Sequence, residues 1–157
     1  MTLTPRQIMT LAAAGSLALL VGAYVFQALG YPPCKLCLWQ RWPHGTAVAL
    51  GVAVWAWRPL PLLGWAGALA AATTGGIGIY HTGVERGWWP GPETCSAGSI
   101  DGLSAEELLN QIMTAPLVRC DEVAWELLGL SMASWNAAAS FALAAAWAFA
   151  ALRPAAA

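Results

Sequence analysis

The chain has 157 residues, of which 59% are hydrophobic and only 10% charged, with a formal net charge of −1. Soluble domains carry about 25% charged residues, so this composition excludes an ordinary soluble domain and points to a membrane protein. The charges also leave long uncharged runs at 7–34, 42–57, 59–84 and 127–152.

A spanning helix needs about 20 mostly apolar residues. The first run predicts a helix over about 7–29. Its apolar core is longer than the 7–15 residues of a signal peptide, so a retained helix is expected. The helix should end at Gly30-Tyr31-Pro32-Pro33, where the double proline forces an extended chain. The second run is short. At 1.5 Å per residue it does not reach across a hydrocarbon core of about 30 Å. Counting back from Trp57 predicts a helix over 38–57. Cys37 then stands at its N-terminus, where the dipole and free N–H groups favour a thiolate. Arg41 lies four residues on, on the same face. A rival start at Pro43, as the first helical residue, leaves Arg41 in a loop.

A third helix is expected over 62–80, rich in Gly64, Gly67, Gly75, Gly76 and Gly78, which permit close helix approach in lipid. The loop over 81–133 holds all eight acids and reads as one water-facing unit. Within it, Ser104 and Glu107 form a capping box, with Leu103 and Leu108 as a staple. Leu108, Leu109, Ile112 and Met113 then share one face, for the membrane surface or for packing onto the loop. A second short helix is expected from about Glu122 to Leu128, stopped by Gly129. The fourth span is expected over 134–152, followed by a frayed Pro-Ala-Ala-Ala end. Tryptophans such as Trp39, Trp42, Trp88 and Trp135 fall where an interfacial belt belongs.

The predicted fold is therefore an all-α membrane protein, a single four-transmembrane-helix bundle over 1–157. Its two outer loops lie at 30–37 and 81–133, the second carrying short amphipathic helices. The termini and the turn after Trp57 hold Arg6, Arg58 and Arg153 and no acid, a weak positive-inside signal. All four cysteines fall on the other side, and lasting disulfides belong in oxidising compartments. Cytosolic termini and outward-facing cysteine loops follow, in the periplasm if the source is bacterial, with membrane lipid as surroundings and no nucleic-acid partner.

Cys34 and Cys37 form a C-x-x-C, while Cys95 and Cys120 stand in the long loop. A zinc site is disfavoured, because no second C-x-x-C or closely spaced histidine accompanies the first. Two inert stabilising disulfides in a structural membrane protein remain the alternative. That reading suits Cys95 and Cys120 but not a C-x-x-C ring, which closes little chain entropy and is the usual redox format. A dithiol relay accounts for both pairs and for Arg41.

The stretch Pro33-Cys34-Lys35-Leu36-Cys37-Leu38-Trp39-Gln40-Arg41 resembles the disulfide bond formation protein B (DsbB) family. The similarity continues through His81, Glu85-Arg86-Gly87-Trp88-Trp89-Pro90-Gly91-Pro92 and Cys95. It resumes at Arg119-Cys120-Asp121-Glu122 and at Trp125-Glu126-Leu127-Leu128-Gly129-Leu130-Ser131-Met132. The vitamin K epoxide reductases place their C-x-x-C late, so the early pair argues against that family. The resemblance implies a bacterial inner-membrane enzyme that re-oxidises a periplasmic, DsbA-like thioredoxin-fold protein and passes electrons to a quinone. Ubiquinone is the family default and menaquinone the low-oxygen option. It implies that Cys95 is an exposed thiol that joins the partner, and that Cys120 is its mate, which then attacks Cys34. Cys37 would face the quinone, with Arg41 and His81 beside it. His81 is expected at the outer end of the third helix. His44 reads as structural, Gln40 stands where some relatives carry an acid, and Lys35 adds charge between the cysteines.

Overall fold

The computed structural model describes residues 3–92, 95, 104–114 and 118–153. Among these, the order is α1 (Pro5–Ala28), α2 (Lys35–Ala56), α3 (Pro61–Glu85), α4 (Ala105–Thr114), β1 (Glu126–Leu127), β2 (Leu130–Ser131) and α5 (Met132–Ala151). The four long helices form a closed ring. α1 packs on α2, α2 on α3, α3 on α5 and α5 back on α1, while α1 and α3 barely meet across the diagonal. By length and composition, α1 and α3 are apolar enough to cross a membrane.

Small residues set the packing. A Cβ on Gly67 would stand 2.4 Å from the Trp147 ring, and one on Gly78 would stand 3.0 Å from the Ala137 Cβ. Gly64 and Gly75 meet Ala151 and Phe141 in the same way, so α3 lies tightly along α5. Gly51 brings α2 equally close to Ala13 of α1. The core at this end holds Met9, Val54, Ala71 and the fully buried Trp147.

Several boundaries differ from the sequence reading. α1 starts at Pro5, because Thr4 and Gln7 close a capping box ahead of it. α2 starts three residues before Leu38 and runs through Pro43, which overturns the start at Pro43. The cause is Cys34, which takes the N-cap position after Pro32-Pro33; its sulfur accepts the Cys37 N–H at 3.2 Å. α3 extends to Glu85, past Tyr80, and stops only at Gly87 with φ +67°. Glu85 therefore leaves the water-facing loop. Its carboxylate is 5% exposed.

No helix forms over 122–128. Leu128 and Gly129 both adopt positive φ, 55° and 76°, and turn a two-residue hairpin that pairs Glu126 with Ser131 and Leu127 with Leu130. Two successive positive φ values match the right-handed twist of a hairpin and end any helix. Arg86 Nη2 donates to the Gly129 carbonyl at 2.6 Å, and Trp135 Nε1 donates to that of Leu127 at 3.1 Å. The capping box at Ser104 and Glu107 is present, with reciprocal bonds of 3.3 and 2.8 Å. Leu109 and Met113 of α4 are exposed. The staple residue Leu103, the Ile112 side chain and the Pro-Ala-Ala-Ala end lie outside the described residues.

Candidate thiol and cavity site

One end of the ring gathers the cysteines. Cys34, Leu36, Val84, Cys95 and Cys120 form one buried cluster, with Cys37 and Val118 packed against it. Cys95 and Cys120 are joined in a disulfide, while Cys34 and Cys37 are unjoined. Their sulfurs lie 2.8 Å apart. Cys95 is fully buried, which corrects the expectation of an exposed thiol. Its disulfide is packed into the apolar cluster under the end of α3. The neighbouring Cys37 sulfur and burial push the Cys34 thiol well above the ordinary thiol range. The Cys37 N–H bond pulls the other way and is weaker.

His81, one turn before the end of α3, faces this cluster. Its Nε2 lies 3.5 Å from Cys34 Sγ and 3.8 Å from Glu85 Oε1. Glu85 accepts a short hydrogen bond from the hydroxyl of Ser131, the N-cap of α5. His81 therefore touches the C-x-x-C pair directly. The i, i+4 spacing of His81 and Glu85 was the signal for this pairing, masked by placing the helix end at Tyr80.

A chain of amides backs the histidine. His44 Nε2 donates to Asn136 Oδ1 at 2.9 Å, and Asn136 Nδ2 donates to Gln40 Oε1 at 2.6 Å. Gln40 Nε2 then donates to His81 Nδ1 at 3.2 Å and to the Leu36 carbonyl at 3.1 Å. Thr74 donates to the Gln40 carbonyl at 3.1 Å. Asn136 was missed in the sequence. A lone amide in an apolar run is the signal that pointed to it, since polar groups at membrane depth need partners.

Beside the thiols lies a cavity of about 490 Å³, within the 300–1,000 Å³ range of small-molecule sites. Leu19, Leu20, Phe26, Met132 and Ala139 give it apolar walls. Cys37, Arg41, His44, His81 and Glu85 face it from one side. Arg41 Nη1 donates to Gln27 Oε1 at 3.0 Å, and its guanidinium lies 4.6 Å over the Tyr24 ring. Its Nε and the Nδ1 of His44 are buried with no partner among the described residues. The unpartnered Arg41 Nε–H is a donor and the His44 Nδ1 an acceptor, a pair that suits a small polar group carried on an apolar frame. Lys35 is exposed, away from these contacts. At the cavity rim, Arg119 pairs with Asp121 at 2.8 Å and with Glu122 at 3.3 Å. This ion pair holds the Asp121 carboxyl below the ordinary range.

Comparison with known proteins identifies the family. The family described as "Disulfide bond formation protein DsbB" matches residues 5–150. A disulfide bond formation protein B of Verminephrobacter eiseniae is 31% identical over 150 residues, covering 85% of this chain and 78% of that protein. One from a Polaromonas species is 28% identical over 145 residues, covering 84% and 82%. No solved structure gives a significant match to the chain. With the match running almost from end to end and through all four cysteines, the chain belongs to the DsbB family.

Proposed function

We propose that this protein is a thiol:quinone oxidoreductase of the bacterial inner membrane that re-oxidises a DsbA-like periplasmic dithiol protein. The carrying observation is the single cluster that unites both cysteine pairs next to the apolar cavity. In this reading all four long helices span the bilayer, with both termini cytosolic and the cysteine end periplasmic.

The thiol steps balance as exchanges. A partner thiolate attacks Cys95, and the electron pair of the Cys95–Cys120 bond leaves on Cys120. The second partner thiol then displaces Cys95, which departs as a thiol with the partner oxidised. Cys120 attacks Cys34 of an oxidised Cys34–Cys37 pair and frees Cys37 as thiolate. Cys95 then displaces Cys34 from Cys120, which leaves Cys34 and Cys37 reduced and restores Cys95–Cys120.

A quinone, ubiquinone by family resemblance or menaquinone, supplies a two-electron, two-proton acceptor. Cys37, Arg41 and His81 would hold it, since all three line the cavity. The unpartnered Nε–H of Arg41 would be available to an oxygen of such a group, with the strength of a charge-assisted bond. His81 holds a proton on Nε2, at the thiols. The Cys34 thiol retains its proton more strongly than an ordinary cysteine, which leaves Cys37 as the donor of the pair.

The test is quinone reduction by the purified protein in detergent, with a reduced thioredoxin-fold protein as donor. Turnover that vanishes in Cys37→Ser is expected. No turnover with several quinones and donors, together with disulfides that resist mild reductant, favours a structural membrane protein instead.

A further inference from the structure

Cys34 Sγ, Cys37 Sγ and His81 Nε2 lie within 4.8 Å of one another. Around a tetrahedral Zn²⁺, sulfur at about 2.3 Å and nitrogen at about 2.0 Å stand roughly 3.6 Å apart, and two sulfurs roughly 3.8 Å. Cys34 and His81 already have the first spacing, at 3.5 Å. Cys37 must swing away from Cys34 by about 1 Å to gain the second, and it sits half-buried at the edge of the cavity, where it has room.

We propose that the reduced Cys34–Cys37 pair and His81 form a binding site for a soft, thiophilic cation of the Zn²⁺ class, open only in the dithiol state. The sequence argument against a metal was the lack of a second C-x-x-C or a closely spaced histidine; α3 supplies a histidine in space. Charge favours the site. Two thiolates cancel a divalent cation, so the buried centre is neutral. Binding displaces one proton from each thiol and moves no electrons. Oxidation to the disulfide removes both sulfur ligands, so the ion must leave first.

The surroundings suit a ligating histidine. Such a ring usually donates its other N–H to a fixed acceptor. Metal at Nε2 moves the His81 proton to Nδ1. The amides of Gln40 and Asn136 can turn over so that each bond of the chain runs the other way, at the loss of the Gln40 bond to Leu36. The cavity leaves a fourth position for water, and the Glu85 carboxylate stands 3.8 Å from Nε2.

The test uses the full chain with Cys95→Ser and Cys120→Ser, so that one dithiol remains, and needs neither quinone nor partner. Cd²⁺ added to the reduced protein should give one equivalent of thiolate-to-cadmium charge-transfer absorbance, equal to two sulfur bonds. The oxidised protein should give none. Zn²⁺ should compete, and His81→Ala should weaken Zn²⁺ by about a hundredfold, the upper end of what even supporting residues contribute. If the double variant does not fold, reduced wild type should bind one Cd²⁺ more than Cys34→Ser/Cys37→Ser. No bound Cd²⁺, or equal affinity with and without His81, overturns the site. Either result leaves the quinone assay to decide the proposed function separately.

Discussion

Gln40 of α2 determines which nitrogen of His81 on α3 carries the proton. The Gln40 amide donates to Nδ1 at 3.2 Å, so the His81 proton sits on Nε2, 3.5 Å from Cys34 Sγ. In the metal-free arrangement the direction is set from behind, because the Gln40 oxygen accepts from Asn136.

Replacing Gln40 with Leu strands the Asn136 amide and His81 Nδ1 in the interior. Leaving a buried polar group unmade costs about 1–3 kcal/mol. Loss of an orienting partner also lowers activity by about ten- to hundredfold in comparable histidine sites. Thermal unfolding and the rate of quinone reduction check the two effects. A lower melting temperature with an unchanged rate and pH profile would confine the chain to structure.

Arg41→Ala should impair quinone use and spare the partner. Removing a charge-assisted hydrogen bond costs about 1.5–3 kcal/mol, a ten- to hundredfold rise in KM for quinone. Exchange of the Cys95–Cys120 bond with a thioredoxin-fold dithiol should proceed at the wild-type rate. An unaltered quinone KM would remove Arg41 from the acceptor site.

Gly67 and Gly76 form an internal control for the α3–α5 seam. Gly67→Ala drives a methyl into the Trp147 ring and should destabilise the protein by about 1–3 kcal/mol. Gly76 has open space around its Cα, so Gly76→Ala should be neutral or gain up to about 1 kcal/mol from helix propensity. Unfolding in detergent compares them directly. Equal effects would mean that α3 and α5 are not packed as described.

The Arg119–Asp121 pair beside Cys120 should respond to acid alone. The Asp121 carboxyl is depressed in the folded protein. Its contribution is thus complete above the ordinary aspartate range, about 3.9, and fades as pH falls through its lower folded value. Reduction of the Cys95–Cys120 bond by a phosphine should therefore be insensitive to this pair between about pH 5 and 8 and quicken only below about 4. Asp121→Asn should abolish that acid-induced rise.

Much of the fold was legible because its determinants are local. Uncharged runs marked the helices, Ser104 and Glu107 marked the start of α4, and the glycines of α3 marked a close helix approach, which is made to α5. The remainder depended on distant partners. Glu122–Leu128 contains good helix formers, yet Trp125 packs edge-on to Phe26 of α1 at 5.2 Å and the chain turns at Leu128 instead. Glu85 reads as a water-facing acid until Ser131 and His81 are brought to it. Of the site, the cysteines and Arg41 were visible as a motif. Asn136 acquired meaning only when α5 was laid against α2.

The burial of the Cys95–Cys120 bond also has a kinetic meaning. A bond with no exposed sulfur cannot be attacked at the rate of collision, because Cys95 and Cys120 must first part from Leu36 and Val84. Exchange should therefore saturate with donor concentration, and its ceiling should measure that opening. The same seal slows adventitious attack by small thiols. A donor protein that binds the opened form would gain access that a free thiol lacks. Selectivity here would reside in the opening step as much as in the chemistry of the sulfurs.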